Sequence, residues 1–322
     1  MIADPVLSRE WHPVANSSDL ADGTVRAVRL LGEDLVLWKA GGQAMAWQDL
    51  CVHRGAKFSL GRVVEGGCLQ CPYHGWIYDP TGRCVRIPAH PGQTPPPRAQ
   101  ARTFLTREDY GWVWVCLAAN PAPLPVFPEW GGAGFRVLTR GPIPVEAAGP
   151  RIIENFLDLA HLPILHAGIL GDPGRPEIKR YNVVRSPEGI EADEIEIFQP
   201  DPDGSGRDGI AYYTYRVLRP LTAYLHKRAG ASRFTMMLTA SPVAETQTQA
   251  WILFSLFNAE SSDEEAVDWM DRIFAQDVPV VESQRPELLP LDLQAELHLN
   301  SDRTSIAYRQ WLGELGMMFG TA

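Results

Sequence analysis

Two short segments carry cysteine and histidine at spacings that suit metal binding. Cys51-x-His53 and Cys71-x-x-His74 each lie beside glycines, and 17 residues separate the pairs. Thiolates and neutral imidazoles both bind iron, so two such pairs can hold a two-metal cluster from two sides. Imidazole in place of two thiolates raises the reduction potential of such a cluster. The alternative is a structural zinc site made by Cys51, His53, Cys68 and Cys71.

A second set of polar residues interrupts the apolar stretch ENFLDLAHLPILH, residues 154–166. Asn155, Asp158 and His161 are spaced by three, so on a helix they share one face. His161 and His166 would point about 140° apart on an unbroken helix. Pro163 disfavours helix at the preceding residue, so we expect the chain to turn there and the two histidines to converge. The alternative is a helix end with hydrogen-bonded core histidines.

Two histidines become an open iron site when a carboxylate joins them. The arrangement of two His and one carboxylate, with positions left for O₂, is typical of non-haem Fe(II) oxygenases. The segment DWMDRIFAQDVPVVESQRPELLP offers four such carboxylates, namely Asp268, Asp271, Asp277 and Glu282. Asp277 has mainly apolar neighbours, but a solvated carboxylate on a helix face is the simple alternative for each.

The elements around these segments predict two domains. Residues 24–50 alternate as β-hairpins, a glycine-rich region extends to about residue 90, and residues 106–117 form a buried strand. Four prolines at positions 121, 123, 125 and 128 mark a linker. We therefore predict domains at 1–120 and 131–322, joined by a linker at 121–130. The second half has hairpins about residues 186–189 and in 232–260, a capped helix after Ser261-Ser262, and a C-terminal helix, which together predict an α+β domain.

Composition excludes several classes of partner. The 322 residues carry a formal net charge of −10 without a Lys/Arg cluster, which argues against nucleic acid or an anionic membrane. Neither a signal peptide nor an apolar run of about 18 residues is present, so we expect a soluble, cytoplasmic protein without a membrane span. Five cysteines, an odd number, argue against a disulfide framework.

The motifs resemble those of one enzyme family. The pattern C-x-H-R-G-A-x-x-S-x-G followed by C-P-Y-H-G-W, with the tail HGWIYD, resembles the Rieske [2Fe–2S] domain of ring-hydroxylating and demethylating oxygenases. The pattern N-x-x-D-x-x-H-x₄-H resembles the mononuclear-iron segment of the same enzymes, in the same order along the chain. The resemblance is nearest the α-subunit-only type, which includes vanillate and dicamba O-demethylases. It implies an N-terminal all-β Rieske domain followed by an antiparallel-sheet, helix-grip catalytic domain.

The resemblance also implies roles for individual residues. The family carboxylate lies in a D-x₄-E-x-Q context that Asp277 matches, which makes Asp277 the predicted third ligand of His161 and His166, with Glu282 in reserve. Asp158 would link His74, a cluster ligand of one subunit, to His161 of the next, in a homotrimer. Asn155 would lie near the iron.

The implied activity is that of a terminal oxygenase with a Rieske [2Fe–2S] cluster and a mononuclear Fe(II). Neither a flavin site nor a dinucleotide-binding fingerprint is evident, so electrons from NAD(P)H would arrive through a separate ferredoxin or flavin reductase. We expect hydroxylation or oxidative demethylation of a small aromatic or heterocyclic substrate with O₂. The alternatives are a cis-dihydroxylating dioxygenase and a Rieske electron carrier with a vestigial second site. Pocket candidates are Leu157, Ile169, Tyr213, Met236, Phe254, Phe257 and Asn258.

Overall fold

The computed structural model describes residues 4–257 and 261–322. The chain divides into two compact units, Met1–Leu124 and Pro125–Ala322. The division falls inside the proline-rich segment 121–130. Asn258, one of the pocket candidates, lies outside the described residues. Among the described helices, none has the length and apolar character needed to cross a membrane.

The larger sheet of the first unit is antiparallel and six-stranded. In chain order the unit contains β1 (His12–Asn16), β2 (Val25–Leu30), β3 (Glu33–Ala40), β4 (Gln43–Gln48), β5 (Arg62–Val64), β6 (Cys68–Gln70), β7 (Ile77–Tyr78), β8 (Cys84–Arg86), β9 (Thr103–Asp109) and β10 (Trp112–Cys116). The strand order of this sheet is β1-β10-β9-β4-β3-β2. Trp38, Trp47, Trp112 and Trp114 are buried on its strands. The predicted hairpins of residues 24–50 are β2, β3 and β4.

The smaller sheet of this unit orders the glycine-rich region. Its strand order is β5-β6-β7-β8, and all its neighbours are antiparallel. The sheet packs on the same core as Trp38 and Trp47, through Leu69 and Tyr78. The loop of Cys71 directly follows β6 of this sheet, and the loop of Cys51 lies between β4 of the larger sheet and β5 of this one.

The second unit is built on a seven-stranded antiparallel sheet. It contains β11 (Arg136–Val145), α1 (Gly149–Leu157), α2 (Leu162–Leu165), β12 (Asn182–Ser186), β13 (Gly189–Gln199), β14 (Gly209–Arg219), β15 (Thr222–Ala229), β16 (Ser232–Ala244), β17 (Gln247–Phe257), α3 (Asp263–Ser283) and α4 (Arg303–Leu315). The strand order is β11-β17-β16-β15-β14-β13-β12. The α+β prediction is confirmed by this sheet and its few helices.

Helix α3 begins where its capping residues predict. The Ser262 hydroxyl accepts from the backbone N–H of Glu265, and the Glu265 carboxylate accepts from the backbone N–H of Ser262. This reciprocal pair satisfies two donors that a helix start otherwise leaves free. Pro279 lies inside the helix, which nevertheless continues to Ser283.

The helix predicted through Asp158 and His161 is shorter than expected. α1 ends at Leu157, and Asp158 has extended backbone angles (φ −75°, ψ 136°). Pro163 does not end a helix, because it lies in the first turn of α2, where a missing N–H costs nothing. His161 precedes this turn and His166 follows it. The prediction that Asp158 and His161 share a helix face was therefore wrong.

A Gly-x-Gly-x-x-Gly spacing occurs at Gly204, Gly206 and Gly209. It connects β13 to β14, which are antiparallel neighbours. A dinucleotide-binding fingerprint instead leads from a strand into a helix, with the pyrophosphate at the helix N-terminus. The spacing is therefore part of a hairpin connection.

Candidate metal centres

The two Cys–His loops of the first unit have the same backbone design. The N–H of Cys51 donates to the carbonyl of Ala56, and the N–H of Cys71 donates to the carbonyl of Trp76. Each loop then closes through a glycine four residues after the cysteine, Gly55 and Gly75, whose N–H returns to the cysteine carbonyl. Both glycines have positive φ, +70° and +68°, which a residue with a Cβ rarely adopts.

The loops bring like ligands together. The imidazole centroids of His53 and His74 lie 4.5 Å apart, and the His53 ring stacks on Trp76 at 4.4 Å. The cysteines are both 2% exposed, and the Cys51 thiol lies 3.3 Å from the Tyr78 hydroxyl. The thiols lie on the buried side and the imidazoles toward the surface. This arrangement suits a cluster with one thiolate-bound and one imidazole-bound iron.

The polar atoms of these loops also fit a cluster. His53 Nδ1 is buried and has no hydrogen-bond partner among the described residues. Burial and the charges of His74 and Arg54 lower the pKa of His53, which favours the neutral imidazole that binds metal. Burial raises the pKa of the Cys71 thiol, so its thiolate needs a metal as a partner.

The zinc alternative requires four ligand atoms around one point. Across residues 4–257 and 261–322, the only group of three or more metal-binding side chains with ligand atoms all within 4.8 Å is His161, His166 and Asp277. Cys51, His53, Cys68 and Cys71 do not form such a group. The Cys68 thiol instead points to the carbonyl of Gly66. A two-iron cluster takes its ligands as two separate pairs, so the observed spread of ligands agrees with it.

His161, His166 and Asp277 converge in the second unit. Nε2 of His166 lies 3.2 Å from Oδ1 of Asp277, and Nε2 of His161 lies 3.6 Å from the same oxygen. The side chains are 1%, 16% and 13% exposed for His166, His161 and Asp277. Asp277 comes from α3, whereas the histidines flank α2, so two elements far apart in sequence build the group. Its donor set is that of an open Fe(II) site.

Hydrogen bonds hold both imidazoles with Nε2 toward Asp277. His161 Nδ1 lies 3.1 Å from Oδ2 of Asp158, and His166 Nδ1 lies 2.8 Å from Oε1 of Gln276. Because both partners accept, each Nδ1 carries a proton, and the lone pair of the neutral imidazole is then on Nε2, toward Asp277. Asn155 Nδ2 lies 3.5 Å from Oδ1 of Asp277.

The negative charges of Asp277 and Asp158 also favour positive charge at this site. Burial alone would lower the pKa of His166, but the hydrogen bond and charge of Asp277 raise it above its ordinary value. Burial would likewise raise the pKa of Asp158, but its hydrogen bond and charge interaction with His161 lower it. Asp158 therefore remains ionised and can orient His161.

The other three carboxylates considered as ligands have different partners. Glu282 Oε1 accepts from the backbone N–H of Glu146 at 3.0 Å. Asp271 forms a bidentate pair with Arg140 at 2.7 and 2.5 Å. Asp268 lines a separate outer cavity. None of the three lies with the histidines, so Asp277 remains the proposed ligand.

A chamber opens on His161, His166 and Asp277. Its sheet wall comprises Tyr213, Tyr215, Leu225, Lys227, Phe234, Met236 and Leu238. Its helix wall is one stripe of α3, comprising Trp269, Met270, Ile273, Phe274 and Asp277. Asn155 and Phe156 of α1 line it as well. Aromatic and aliphatic walls with few polar groups are typical of a pocket for a small organic ligand.

Only part of this chamber was anticipated from sequence. Of the pocket candidates, Tyr213 and Met236 line the chamber, while Phe254 and Phe257 line the outer cavity. Leu157 and Ile169 line neither. Gln276 and Lys227 were missed. Gln276 directly precedes Asp277, but no spacing rule assigns it to His166, which lies 110 positions away.

Comparisons with known proteins cover both units. Residues 10–103 match the family model for the Rieske [2Fe-2S] domain, and residues 145–317 match that for the vanillate O-demethylase oxygenase C-terminal domain. Methylxanthine N1-demethylase NdmA of Pseudomonas putida is 33% identical over 324 residues, covering 95% of this chain and 88% of that protein.

Solved structures and a further relative agree. The structure of Pseudomonas putida CBB5 NdmA with caffeine superposes with a TM-score of 0.85 at 32% identity, covering 96% of this chain and 91% of that one. Oxidoreductase NdmD of Pseudomonas putida is 39% identical over 114 residues, which are 35% of this chain and 19% of that protein.

The second family match alone spans more than half of the 322 residues, and the NdmA match spans nearly all of them. The cluster loops and the two-histidine, one-carboxylate group fit the two iron cofactors of such enzymes. The chain therefore belongs to the Rieske non-haem iron oxygenases, oxidoreductases that carry a Rieske [2Fe–2S] cluster and a mononuclear iron and receive electrons from a separate reductase.

Proposed function

We propose that this oxygenase hydroxylates or oxidatively demethylates a small, planar aromatic or heterocyclic molecule. The observation that carries the proposal is the chamber in which His161, His166 and Asp277 face aromatic and aliphatic walls. N-demethylation is the activity named for NdmA, and O-demethylation is named in the matched family. A methyl group on a ring nitrogen or oxygen is accordingly the favoured target.

Separate residues hold the two iron cofactors in this proposal. Cys51, Cys71, His53 and His74 hold the [2Fe–2S] cluster, and His161, His166 and Asp277 hold the mononuclear iron. The bound iron supplies O₂ activation with electrons from the cluster. In the overall reaction one oxygen atom enters a methyl C–H bond, and the hydroxymethyl group is released as formaldehyde. The other oxygen atom becomes water with two electrons and two protons.

The residues of the chain bind and orient the substrate. The aromatic side chains of the chamber, such as Phe156, Phe274 and Trp269, provide flat apolar contacts for a ring. Apolar walls also exclude water from the reacting group. Asp158 and Gln276 fix the imidazoles through their Nδ1 atoms, and Asn155 donates toward Asp277.

We further propose that the cluster of one subunit serves the mononuclear iron of its neighbour in a homotrimer. His74 is exposed, so its ring is accessible to another chain. Asp158 is partly exposed and already contacts His161. A hydrogen bond from the neighbouring His74 to Asp158 would complete the connection between the two centres. Size-exclusion chromatography with light scattering tests the trimer, and a monomeric active enzyme would contradict it.

The function is tested with purified protein, a flavin reductase and O₂. A panel of N-methyl and O-methyl aromatics is screened for O₂ uptake and formaldehyde release, with iron and acid-labile sulfide counted per chain. His161→Ala is the control, because it should abolish turnover while the Rieske electron paramagnetic resonance signal persists. Turnover that survives in His161→Ala would refute the mononuclear site. A native protein that holds the cluster but turns over none of the panel would favour an electron carrier.

Product analysis distinguishes the alternative activity, cis-dihydroxylation, from hydroxylation and demethylation. Cis-dihydroxylation places both oxygen atoms of O₂ in the product and releases no formaldehyde. Monooxygenation or demethylation retains at most one atom of ¹⁸O₂ in the ring product. A cis-diol carrying two labelled oxygens would replace the proposed reaction with dihydroxylation.

A further inference from the structure

Lys227 is the one lysine among the described residues that line the chamber. It lies on β15, two positions after Leu225, so both side chains leave the same face of the sheet. Its cross-strand neighbours, Tyr213 on β14 and Phe234 on β16, line the chamber too. The strand register therefore inserts a basic side chain into an otherwise apolar wall.

Lys227 lies at the end of the chamber remote from the metal-binding residues. On α3, Trp269 precedes Asp277 by eight residues, which corresponds to about 12 Å along the helix axis. The Trp269 ring contacts Phe234 at a centroid distance of 5.6 Å, and Phe234 is the cross-strand partner of Lys227. Lys227, Phe234 and Trp269 line both the chamber and the outer cavity, so they mark the boundary between them.

The ammonium of Lys227 has no hydrogen bond or ion pair with any residue in the described part of the chain. Burial lowers the pKa of Lys227 to about 8, while the charges of Asp201 and Asp203 act in the opposite direction. Most Lys227 side chains are therefore protonated at pH 7. A partly buried cation without a partner is costly, and a ligand that brings an oxygen acceptor removes that cost.

We infer that Lys227 determines substrate specificity by donating a hydrogen bond to a carbonyl or carboxylate oxygen on the substrate. The inference rests on the proposed function, because it assumes that the chamber binds the substrate. Anchored at Lys227, a planar ring would present its opposite edge to His161, His166 and Asp277. The favoured substrates are aromatic or heterocyclic compounds with an oxygen acceptor at one end and the reacting methyl group at the other.

The test compares matched probes that differ in the oxygen acceptor. One pair is 4-methoxybenzoate, which carries a carboxylate, and anisole, which carries none. The other pair is 7-methylxanthine, which has ring carbonyls, and 7-methylpurine, which has none. Dissociation constants are measured by calorimetry on the holoenzyme under argon, so that binding is observed without turnover. The variants are Lys227→Met, which keeps most of the length of the side chain without its charge, and Arg272→Met, which removes an exposed cation lining only the outer cavity.

We expect the native protein to bind the oxygen-bearing member of at least one pair more tightly. Lys227→Met should weaken that binding by about 10- to 150-fold, the range for a hydrogen bond to a charged group. Binding of the partner without oxygen should change little, and Arg272→Met should retain the native preference. The pair that responds identifies the acceptor as carboxylate or carbonyl.

The inference is overturned if neither pair shows a preference, or if the preference survives in Lys227→Met. Its failure is distinguishable from failure of the proposed function, which depends on turnover. Demethylation that proceeds equally well in Lys227→Met refutes the role of Lys227 and leaves the function intact. Binding that depends on Lys227, without O₂-dependent turnover of any methylated probe, refutes the function and leaves the binding role intact.

Discussion

Replacing Asp277 with alanine should remove the mononuclear iron and spare the Rieske cluster. The Asp277 carboxylate lies 3.2 Å from His166 Nε2 and 3.6 Å from His161 Nε2. It is the one anionic ligand in the proposed set. Asp277→Ala leaves two imidazoles, which are neutral when they bind metal. The proposed cluster ligands Cys51 and His53 belong to the other compact unit, so we expect this change to leave the cluster intact.

The expected loss of iron affinity follows from the proposed role of Asp277 as a direct ligand. Loss of an outer partner of a metal ligand costs about 10- to 100-fold in metal affinity or activity. Loss of a direct ligand should cost more than the upper end of that range, or more than about 2.7 kcal/mol of iron-binding free energy. Iron should fall from about three atoms per chain to about two, the content of one [2Fe–2S] cluster.

Iron and acid-labile sulfide analysis, with the electron paramagnetic resonance spectrum of the reduced protein, measures both centres in one sample. Glu282→Gln is the matched control, since this other carboxylate of α3 accepts from the Glu146 backbone N–H and does not contact the histidines. It should keep full iron and turnover. An iron-replete, active Asp277→Ala protein would refute the ligand assignment, and iron loss in Glu282→Gln would transfer it to Glu282.

Three further predictions concern the partners of these residues. Gln276→Leu removes the acceptor of His166 Nδ1 and should lower iron affinity by about 10- to 100-fold in a competition titration with a chelator; unchanged affinity would refute the orienting role. Asp158→Asn should retain both metals but slow oxidation of the reduced cluster by O₂ in the presence of substrate at least about 10-fold in single-turnover measurements; loss of iron would instead make Asp158 a ligand. Arg309→Met breaks a buried network with Glu154 and Glu296 and should cost about 3–5 kcal/mol, lowering Tm by about 6–20 °C in calorimetry. The exposed Arg185, replaced by Met, is the control and should change stability by less than about 1 kcal/mol.

Local patterns determined the features that need only a short stretch of chain. The spacing of Cys51, His53, Cys71 and His74 can be recognised in the sequence, because each pair lies on one loop closed by its own backbone and a glycine. The start of α3 was predictable for the same reason, since a capping box connects residues three apart. Asp277 was selected from four carboxylates only through a resemblance of motif, because a helix face by itself does not show what lies opposite.

The turn between His161 and His166 shows where a local rule can give the right outcome for the wrong reason. The histidines do converge, but α1 already ends at Leu157, whereas Pro163 lies in the first turn of α2. Proline is compatible with the first turn of a helix as well as with the residue after its end. The sequence alone does not distinguish these positions, because packing of the flanking segments selects between them.

The sequence by itself determined the family and indicated the proposed cluster loops and the two histidines of the proposed iron site. Only the tertiary structure decided which side chains line the chamber. Lys227, Tyr213 and Trp269 come together through the register of three strands and the packing of α3, across separations that no periodic pattern encodes. The physical reason is that local preferences act over a few residues. A binding chamber instead depends on which faces of distant elements meet, and in this protein that meeting brings a cation into an apolar wall.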